Sequence, residues 1–155
     1  MRVRVLYAAS EHDADMLYAT GFFAPDPFLC LIAGSRTSLV MSDLEMDRAK
    51  RESKATHIWS WARMAKRAGA GVPPPRAEHV IAACLKRLGA RSVEVPASFP
   101  LGLARKLEAL RVRLQVAREP FWPEREIKTR DEVKKIETSL RAAEAGLLSG
   151  IEALR

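Results

Sequence analysis

The chain of 155 residues is long enough for one domain, with little room for a second, and its apolar fraction of 48% suffices for a packed core. It holds no apolar run of about 18 residues, which excludes a membrane span. The first ten residues, MRVRVLYAAS, are unlike the basic-then-apolar profile of a secretory signal, so we expect a cytoplasmic protein.

The net charge of +7 is concentrated in the middle of the chain, where residues 48–91 carry eleven basic and two acidic side chains. A basic segment of this kind can bind nucleic acid through phosphate contacts. Its basic residues lie mostly on predicted helix faces, and no aromatic side chains alternate with them as stacking platforms. We therefore expect a solvated basic face, which could meet an acidic neighbouring domain. Nucleic-acid binding remains an alternative.

The chain begins with a predicted strand and a short predicted helix. Residues 2–8 begin with an alternation of basic and apolar side chains and are rich in branched residues, which indicates a strand. Residues 13–19 are typical of a short helix, with Asp13 as its cap and Gly21 as its stop.

A hairpin and a second helix are predicted next. FLCLIA (28–33) and TSLVMS (37–42) read as two strands joined by a tight turn at Gly34-Ser35. Ser42 and Glu45 match the spacing of a capping box, which predicts a helix that runs to about Ser53.

The second half alternates strands with helices, which indicates an α/β layer fold. The predicted hairpin makes its sheet mixed rather than fully parallel. In chain order the predicted elements are a strand at 56–61 that passes into a helix at 61–69, a loop at 69–75, a helix at 77–89 closed by Gly89, a strand at 92–96, a helix at 101–110, a strand at 112–117 and a proline-bounded connector at 118–126.

The chain ends in a long predicted helix. Thr129 and Glu132 match a capping box that marks its start. Apolar residues then recur every three or four positions on one face, namely Val133, Ile136, Leu140, Ala143, Leu147, Ile151 and Leu154. A helix of this size is roughly 40 Å long, about as wide as a domain made from the preceding residues. We therefore expect the stripe to need a further partner, which is either a missing domain or a second copy.

Candidate catalytic and metal-binding residues are sparse. Each of the three histidines, His12, His57 and His79, fits an ordinary structural position better than a catalytic one. The run Glu11-His12-Asp13-Ala14-Asp15 resembles a metal site by composition, but a helix cap with solvated carboxylates explains it as well. Cys30 and Cys84 are expected to be buried reduced thiols, with a disulfide or a metal pair as the alternatives.

Two stretches resemble one known family. Residues 13–53 are similar to the N-terminal domain of creatinase, prolidase and Xaa-Pro aminopeptidase enzymes, in a turn of the form Asn/Asp-x-x-x-Tyr-x-Thr-Gly-Phe followed by a strand hairpin. Residues 125–147 are similar to the segment that opens the catalytic "pita-bread" domain of the same family. The residues that match the turn are Asp15, Tyr18, Thr20, Gly21 and Phe22, and the hairpin spans Phe28 to Met41. Relatives often carry a helix before the first strand, whereas this chain begins almost directly with the strand.

The resemblance implies a mixed β-sheet flanked by helices, with a long C-terminal helix. It divides the chain into a creatinase/prolidase-type N-terminal domain, 1–123, and a connector with the first helix of a catalytic domain, 124–155. It also implies a parent metallopeptidase that cleaves bonds before proline with two divalent metal ions, held by two Asp, one His and two Glu. None of those five ligands maps onto this chain, so the resemblance implies neither a catalytic nor a metal-binding residue here.

The resemblance gives this domain a supporting role. It would supply a wall near the active site and part of an oligomer contact, with Tyr18, Phe22 and Phe23 as candidates for a substrate-facing edge. The expected partners are the missing catalytic domain of the same polypeptide and further copies of the chain. Three alternatives remain open. The aromatic residues could simply pack the loop onto the sheet. The domain could belong to a non-peptidase relative. The chain could be an interaction or nucleic-acid-binding module.

Overall fold

The computed structural model describes residues 3–69 and 76–154, so the predicted loop at 69–75 lies almost wholly outside the described residues. The chain separates into two compact units, one that ends at Phe121 and one that begins at Trp122. The boundary expected between residues 123 and 124 falls slightly later and stays a prediction. No helix in the described ranges combines the length and the apolar character that crossing a bilayer requires.

The unit that ends at Phe121 is built on a mixed sheet. Its six described strands are β1 (Val3–Ala8), β2 (Phe28–Ala33), β3 (Arg36–Met41), β4 (His57–Ser60), β5 (Ser92–Val95) and β6 (Arg113–Val116). They lie in the order β4-β3-β2-β1-β5-β6. Strands β1, β2 and β3 pair antiparallel, and the other neighbours pair parallel. The predicted mixed sheet and the β2–β3 hairpin are therefore confirmed.

Helices cover both faces of this sheet. Side chains alternate between the two faces of a strand, so each strand contributes to two cores. One face packs against α3 (Trp61–Ala68), α4 (Ala77–Arg87) and α5 (Leu101–Ala109). The strand residues of that core include Val3, Val5, Leu29, Leu31, Val40, Val93 and Val95. The alternating residues Leu6, Cys30, Leu39 and Met41 are also buried, on the face that carries α1 (Ala14–Thr20) and α2 (Met46–Glu52).

The ends of α1 follow the predicted chemistry. The Asp13 carboxylate accepts a hydrogen bond of 2.7 Å from the backbone N–H of Met16, which satisfies one of the free donors in the first turn. Gly21 ends the helix in the left-handed region, with φ of 61°, and its N–H donates to the carbonyl of Leu17. The cap at Asp13 and the stop at Gly21 are both confirmed.

The predicted start of α2 is wrong. The helix begins at Met46, and Glu45 occupies the capping position without a side-chain capping bond. The Glu45 carboxylate instead accepts a hydrogen bond of 2.9 Å from Nε of Arg48. Glu45 is therefore held by a charged partner one turn further on, and Ser42 meets it only through a backbone bond from the N–H of Glu45.

Strands β1 and β5 share a short ladder. Among the described residues two pairs join them, Val3 with Val93 and Arg4 with Glu94, whereas the antiparallel ladder between β1 and β2 spans six pairs. The Arg4 side chain reinforces the short ladder, because its Nε lies 3.0 Å from Oε2 of Glu94 and its guanidinium lies 5.2 Å from the centre of the Phe121 ring.

The second unit consists of a short 3₁₀ turn, Pro123–Glu126, and the long helix α6 (Arg130–Ala153). The predicted capping box is confirmed, since the Thr129 hydroxyl accepts from the N–H of Glu132 and the Glu132 carboxylate accepts from the N–H of Thr129. No residue of α6 is buried. The predicted apolar stripe is present and exposed along the helix.

Candidate functional site

The three aromatic candidates lie together at the end of α1, in three different environments. Phe22 is only 1% exposed, Phe23 is 53% exposed, and Tyr18 is half-buried in the last turn of the helix. Phe22 thus presents almost no surface to solvent, and Tyr18 and Phe23 are the two that could face a ligand. A substrate-facing role for them stays a prediction.

Hydrogen bonds tie the segment that carries these rings, residues 21–27 (the Phe22 loop), to the rest of the domain. The Thr20 hydroxyl donates to the carbonyl of Met16 at 2.8 Å and accepts from the N–H of Phe22 at 3.2 Å. The Ser10 hydroxyl accepts from the N–H of Ala24 at 2.8 Å. Each of these contacts is buried, so the loop backbone is held at Phe22 and again at Ala24.

Glycine is required at the entrance to the Phe22 loop for two reasons. Gly21 has a φ of 61°, a conformation that other residues adopt only with strain. A Cβ at this position would also lie 3.2 Å from Cγ and Cε of Lys54, whose N–H donates to the carbonyl of Thr20 at 2.8 Å. The glycine of the family-like turn is therefore explained by local geometry.

The Phe22 ring anchors the loop to the sheet and to α2. It meets Phe28 edge to face, with ring centres 5.8 Å apart, and the Arg48 guanidinium lies 4.5 Å from its centre. The Glu45 carboxylate holds Arg48 in place. Sequence reasoning found Phe22 but missed Ser10 and Arg48, because nothing in the local pattern links them to a loop more than ten residues away.

A small cavity of about 110 Å³ opens beside this anchor. Its walls include Phe22, Phe28 and the segment Pro25-Asp26-Pro27, with Glu45 on the far side. The arrangement offers an apolar wall with two acidic residues, Asp26 and Glu45, beside it. Such a wall can pack against a ligand and restrict the shape of what binds there. The described residues of the loop place no pair of a nucleophile and a base at this cavity.

The histidines take structural positions that differ from one another. His12 lies in an exposed turn and His57 is exposed at the start of the edge strand β4. Nδ1 of His79 lies 3.9 Å from Oε1 of the buried Glu78, although neighbouring residues on a helix ordinarily diverge. Across residues 3–69 and 76–154, no group of three or more His, Cys, Asp or Glu side chains is placed to hold a metal ion.

The two cysteines are free and buried, as expected for reduced thiols. Burial raises the pKa of Cys30 to about 12 and that of Cys84 to about 12, so neither is a ready nucleophile. Cys84 packs with Leu29 and Leu31 on one face of the sheet, and Cys30, which alternates with them, points to the other. The sheet therefore separates the two thiols.

Comparison with family models found no match, and comparison with curated proteins found none either. Solved structures do match. The X-Pro aminopeptidase of Thermotoga maritima MSB8 superposes with a TM-score of 0.77 at 16% identity, over 100% of this chain and 42% of that chain. The prolidase of Pyrococcus horikoshii OT3 gives 0.73 at 20% identity, over 98% and 38%, and that of Pyrococcus furiosus gives 0.70 at 14%, over 97% and 39%.

The chain thus spans about two fifths of the length of these structures and is matched along almost its whole length. At sequence identities of 14–20% the structural likeness establishes the fold alone. Its content is a mixed sheet with helices on both faces, followed by a long C-terminal helix, as the sequence predicted. The chain has the fold shared by about two fifths of these prolidase and X-Pro aminopeptidase structures.

Proposed function

We propose that the chain is the non-catalytic N-terminal domain of a proline-directed metallopeptidase, an Xaa-Pro aminopeptidase or dipeptidase of the cytoplasm. The observation that carries the proposal is the structural match over 100% of this chain to 42% of an X-Pro aminopeptidase. The match includes the long helix as well as the sheet, so it supports a shared order of elements along the chain from the first strand to the last helix.

The remaining part of the parent polypeptide would hold the chemistry. In this proposal a catalytic domain carries two divalent metal ions on two Asp, one His and two Glu, and the metal pair supplies an activated water and a polarised carbonyl. The described residues of this chain do not fit such a site, because they hold no group of three or more ligand side chains. We assign no step of hydrolysis to them.

Two surfaces of the chain would serve the parent enzyme. Tyr18 of α1 and Phe23 of the anchored Phe22 loop would form one wall of the active-site entrance. The exposed apolar stripe of α6 contributes contacts to the catalytic domain or to a second copy of the chain. Both roles use apolar surface that is available on the isolated units, since Phe23 and Leu140 are 53% and 57% exposed.

The test is the activity of the complete parent polypeptide. With added Mn²⁺ it should cleave peptides at an Xaa-Pro bond, and the 155-residue chain alone should show no metal-dependent turnover with manganese, cobalt or zinc. A folded, metal-loaded parent without Xaa-Pro cleavage would overturn the peptidase function and leave a non-peptidase relative of the same fold.

A second measurement isolates the entrance wall. Phe23→Ala in the parent should raise KM for a tripeptide substrate severalfold with little change in kcat, because it removes contact area without touching the metal site. Leu101→Ala is the matched control, since Leu101 is also an exposed apolar residue but lies on α5, on the opposite face of the sheet. Equal values of KM and kcat for the two variants would contradict the proposed role of Phe23 at the active-site entrance.

A further inference from the structure

A basic groove lies at the edge of the sheet, away from the Phe22 loop. Two adjoining cavities, of about 310 Å³ and about 440 Å³, share Trp59 of β4 and Arg87 of α4 in their walls. We call the pair the Trp59 groove. The smaller cavity is lined further by Arg36, Ser38 and His57, and the larger by Arg63, Lys66 and Arg67 of α3.

The fold brings the five cations together from three elements, β3, α3 and α4, and β4 adds His57 and Trp59. Arg36 and Ser38 of β3 and His57 and Trp59 of β4 alternate onto the same face of the sheet as α3 and α4. Strand β4 is the outermost strand, so this end of the sheet is bordered by helix side chains rather than by another strand. The result is an open trough with basic residues on both sides.

The positive charge of the Trp59 groove is uncompensated within the described residues. None of the residues that line it is a carboxylate, and its five cations, Arg36, Arg63, Lys66, Arg67 and Arg87, form no ion pair with a described carboxylate. Other cations of the domain differ. Arg48, Lys50 and Arg105 each lie beside an acidic residue three positions away. The groove therefore attracts anions.

The Trp59 ring favours a peptide over a nucleic acid as the occupant. It packs against the hydrophobic core, and the Arg87 guanidinium lies 5.2 Å from its centre. The ring is the only aromatic platform among the described lining residues other than the imidazole of His57, so little π-surface is left on which bases could stack. Apolar side chains of Met46, Ile58, Met64 and Leu88 also line the walls.

We infer that the Trp59 groove binds an acidic segment of polypeptide, in which Asp or Glu side chains are interspersed with apolar ones. Arginine guanidinium groups match carboxylates with paired hydrogen bonds, and the apolar walls suit the side chains between the acids. This inference stands on the groove alone. It does not depend on whether the parent protein cleaves proline-containing peptides.

Fluorescence anisotropy of a labelled decapeptide in which glutamate alternates with leucine, titrated with the 155-residue chain, tests the inference. A decamer of thymidylate serves as the second probe, and both are measured at low and at physiological salt. The glutamate peptide should bind saturably and the more tightly of the two. Its affinity should fall with salt, because exposed charges are screened.

The informative variant is Arg63→Gln with Lys66→Gln and Arg67→Gln, which removes three exposed charges and keeps good helix formers on α3. We expect peptide affinity to fall at least about tenfold, as three exposed ion pairs are lost. The matched control, Arg91→Gln with Arg113→Gln and Arg118→Gln, changes the net charge equally at other exposed positions and should lose less than about threefold.

Three outcomes would overturn the inference. Equal losses in the two triple variants would mean attraction to net charge alone. An absence of peptide binding at low salt would leave the groove without this ligand. Tighter thymidylate binding that the α3 variant abolishes would reassign the groove to nucleic acid. If the triple variant fails to fold by circular dichroism, the single exposed change Lys66→Glu replaces it, with Arg113→Glu as its control.

Discussion

Helices α4 and α6 carry the same kind of sequence pattern and meet different surroundings. In α4 the apolar residues Val80, Ile81, Cys84 and Leu85 are all buried against the sheet. In α6 apolar residues recur at the same three- and four-residue intervals, and none is buried. The comparison shows that apolar periodicity predicts a helix and the face that it can bury. Whether that face is buried depends on another surface that packs against it, which the periodicity does not predict.

The largest expected difference in unfolding free energy is between a change at Leu85, which is buried on α4, and one at Leu140, which is exposed on α6. Leu85→Ala should lower the free energy of unfolding by about 3 kcal/mol, because Leu85 is 1% exposed and its removal leaves a cavity. Leu140→Ala, at 57% exposure, should cost less than about 0.5 kcal/mol. Urea unfolding followed by tryptophan fluorescence measures both. Similar costs would mean that the stripe of α6 is covered in solution.

The buried thiols add a dependence on pH to the unit that contains α4. Burial raises the pKa of each cysteine from 9.0 to about 12, so the unfolded chain ionises first as the pH rises. Their contribution to stability is fully present below pH 9 and is lost between pH 9 and pH 12. The loss per thiol between about pH 8 and pH 10 should be about 1 kcal/mol.

The thiol contribution is isolated by comparing how steeply the free energy of unfolding falls with pH in the natural chain and in cysteine variants. Urea unfolding at several pH values should show a shallower loss of stability for Cys30→Ala with Cys84→Ala than for the natural chain, and Cys30→Ala alone should remove about half of the difference. Parallel slopes would mean that the thiols ionise equally in the folded and the unfolded states.

The start of α6 depends on its capping box rather than on packing. Thr129→Ala removes the acceptor for the N–H of Glu132 and should cost about 1 kcal/mol of local helix stability. Amide hydrogen exchange over residues 130–140 should therefore speed up several-fold. Thr138→Ala is the control, because that hydroxyl only bonds back to the carbonyl of Lys134 within the helix. Equal exchange in both variants would show that the cap is dispensable.

The smallest effect on stability is expected from the stripe itself. Leu140→Gln with Leu147→Gln should change the free energy of unfolding by less than about 0.5 kcal/mol, since both side chains are exposed. The same variant should abolish any self-association of the 155-residue chain in light scattering. A natural chain that stays monomeric at high concentration would remove the contact between copies from the proposed function.

The fold could largely be predicted from local pattern. Asp13, Gly21 and Thr129 mark helix ends by side-chain chemistry that acts within three or four residues, and the strands carry alternating or continuous apolar runs. Ser42 and Glu45 show the limit of such rules, because the right spacing was present and a salt bridge from Arg48 held the carboxylate instead. Local spacing does not reveal a competing partner.

The sites were harder to predict because they are assembled from distant segments. The sequence placed Phe22 in the family-like turn, but nothing in the order of Phe22 and Phe23 tells which ring points inward; burial against Phe28 and Arg48 decides it. The Trp59 groove unites β3, β4, α3 and α4. The excess of basic residues at 48–91 indicates a basic surface. Only the pairing of β4 with β3 at the edge of the sheet brings these residues into one groove, and the sequence pattern does not reveal that pairing.

The described ladder between β1 and β5 joins two parts of the sheet through few backbone pairs, so the shared hydrophobic core supplies much of their cohesion. Four strands from the first sixty residues are joined by ladders of four to six described residue pairs, whereas β5 meets β1 through two described pairs and the Arg4–Glu94 bridge. Val93 and Val95 of β5 also pack in one core with Val3, Val5 and Val40. The backbone pairing of the first four strands can therefore form while later residues are still being synthesised, but one face of these strands stays uncovered until α3, α4 and α5 dock. Docking of β5 and β6 together with these helices then completes both the sheet and the core, and amide exchange in β5 should report the free energy of that joint docking.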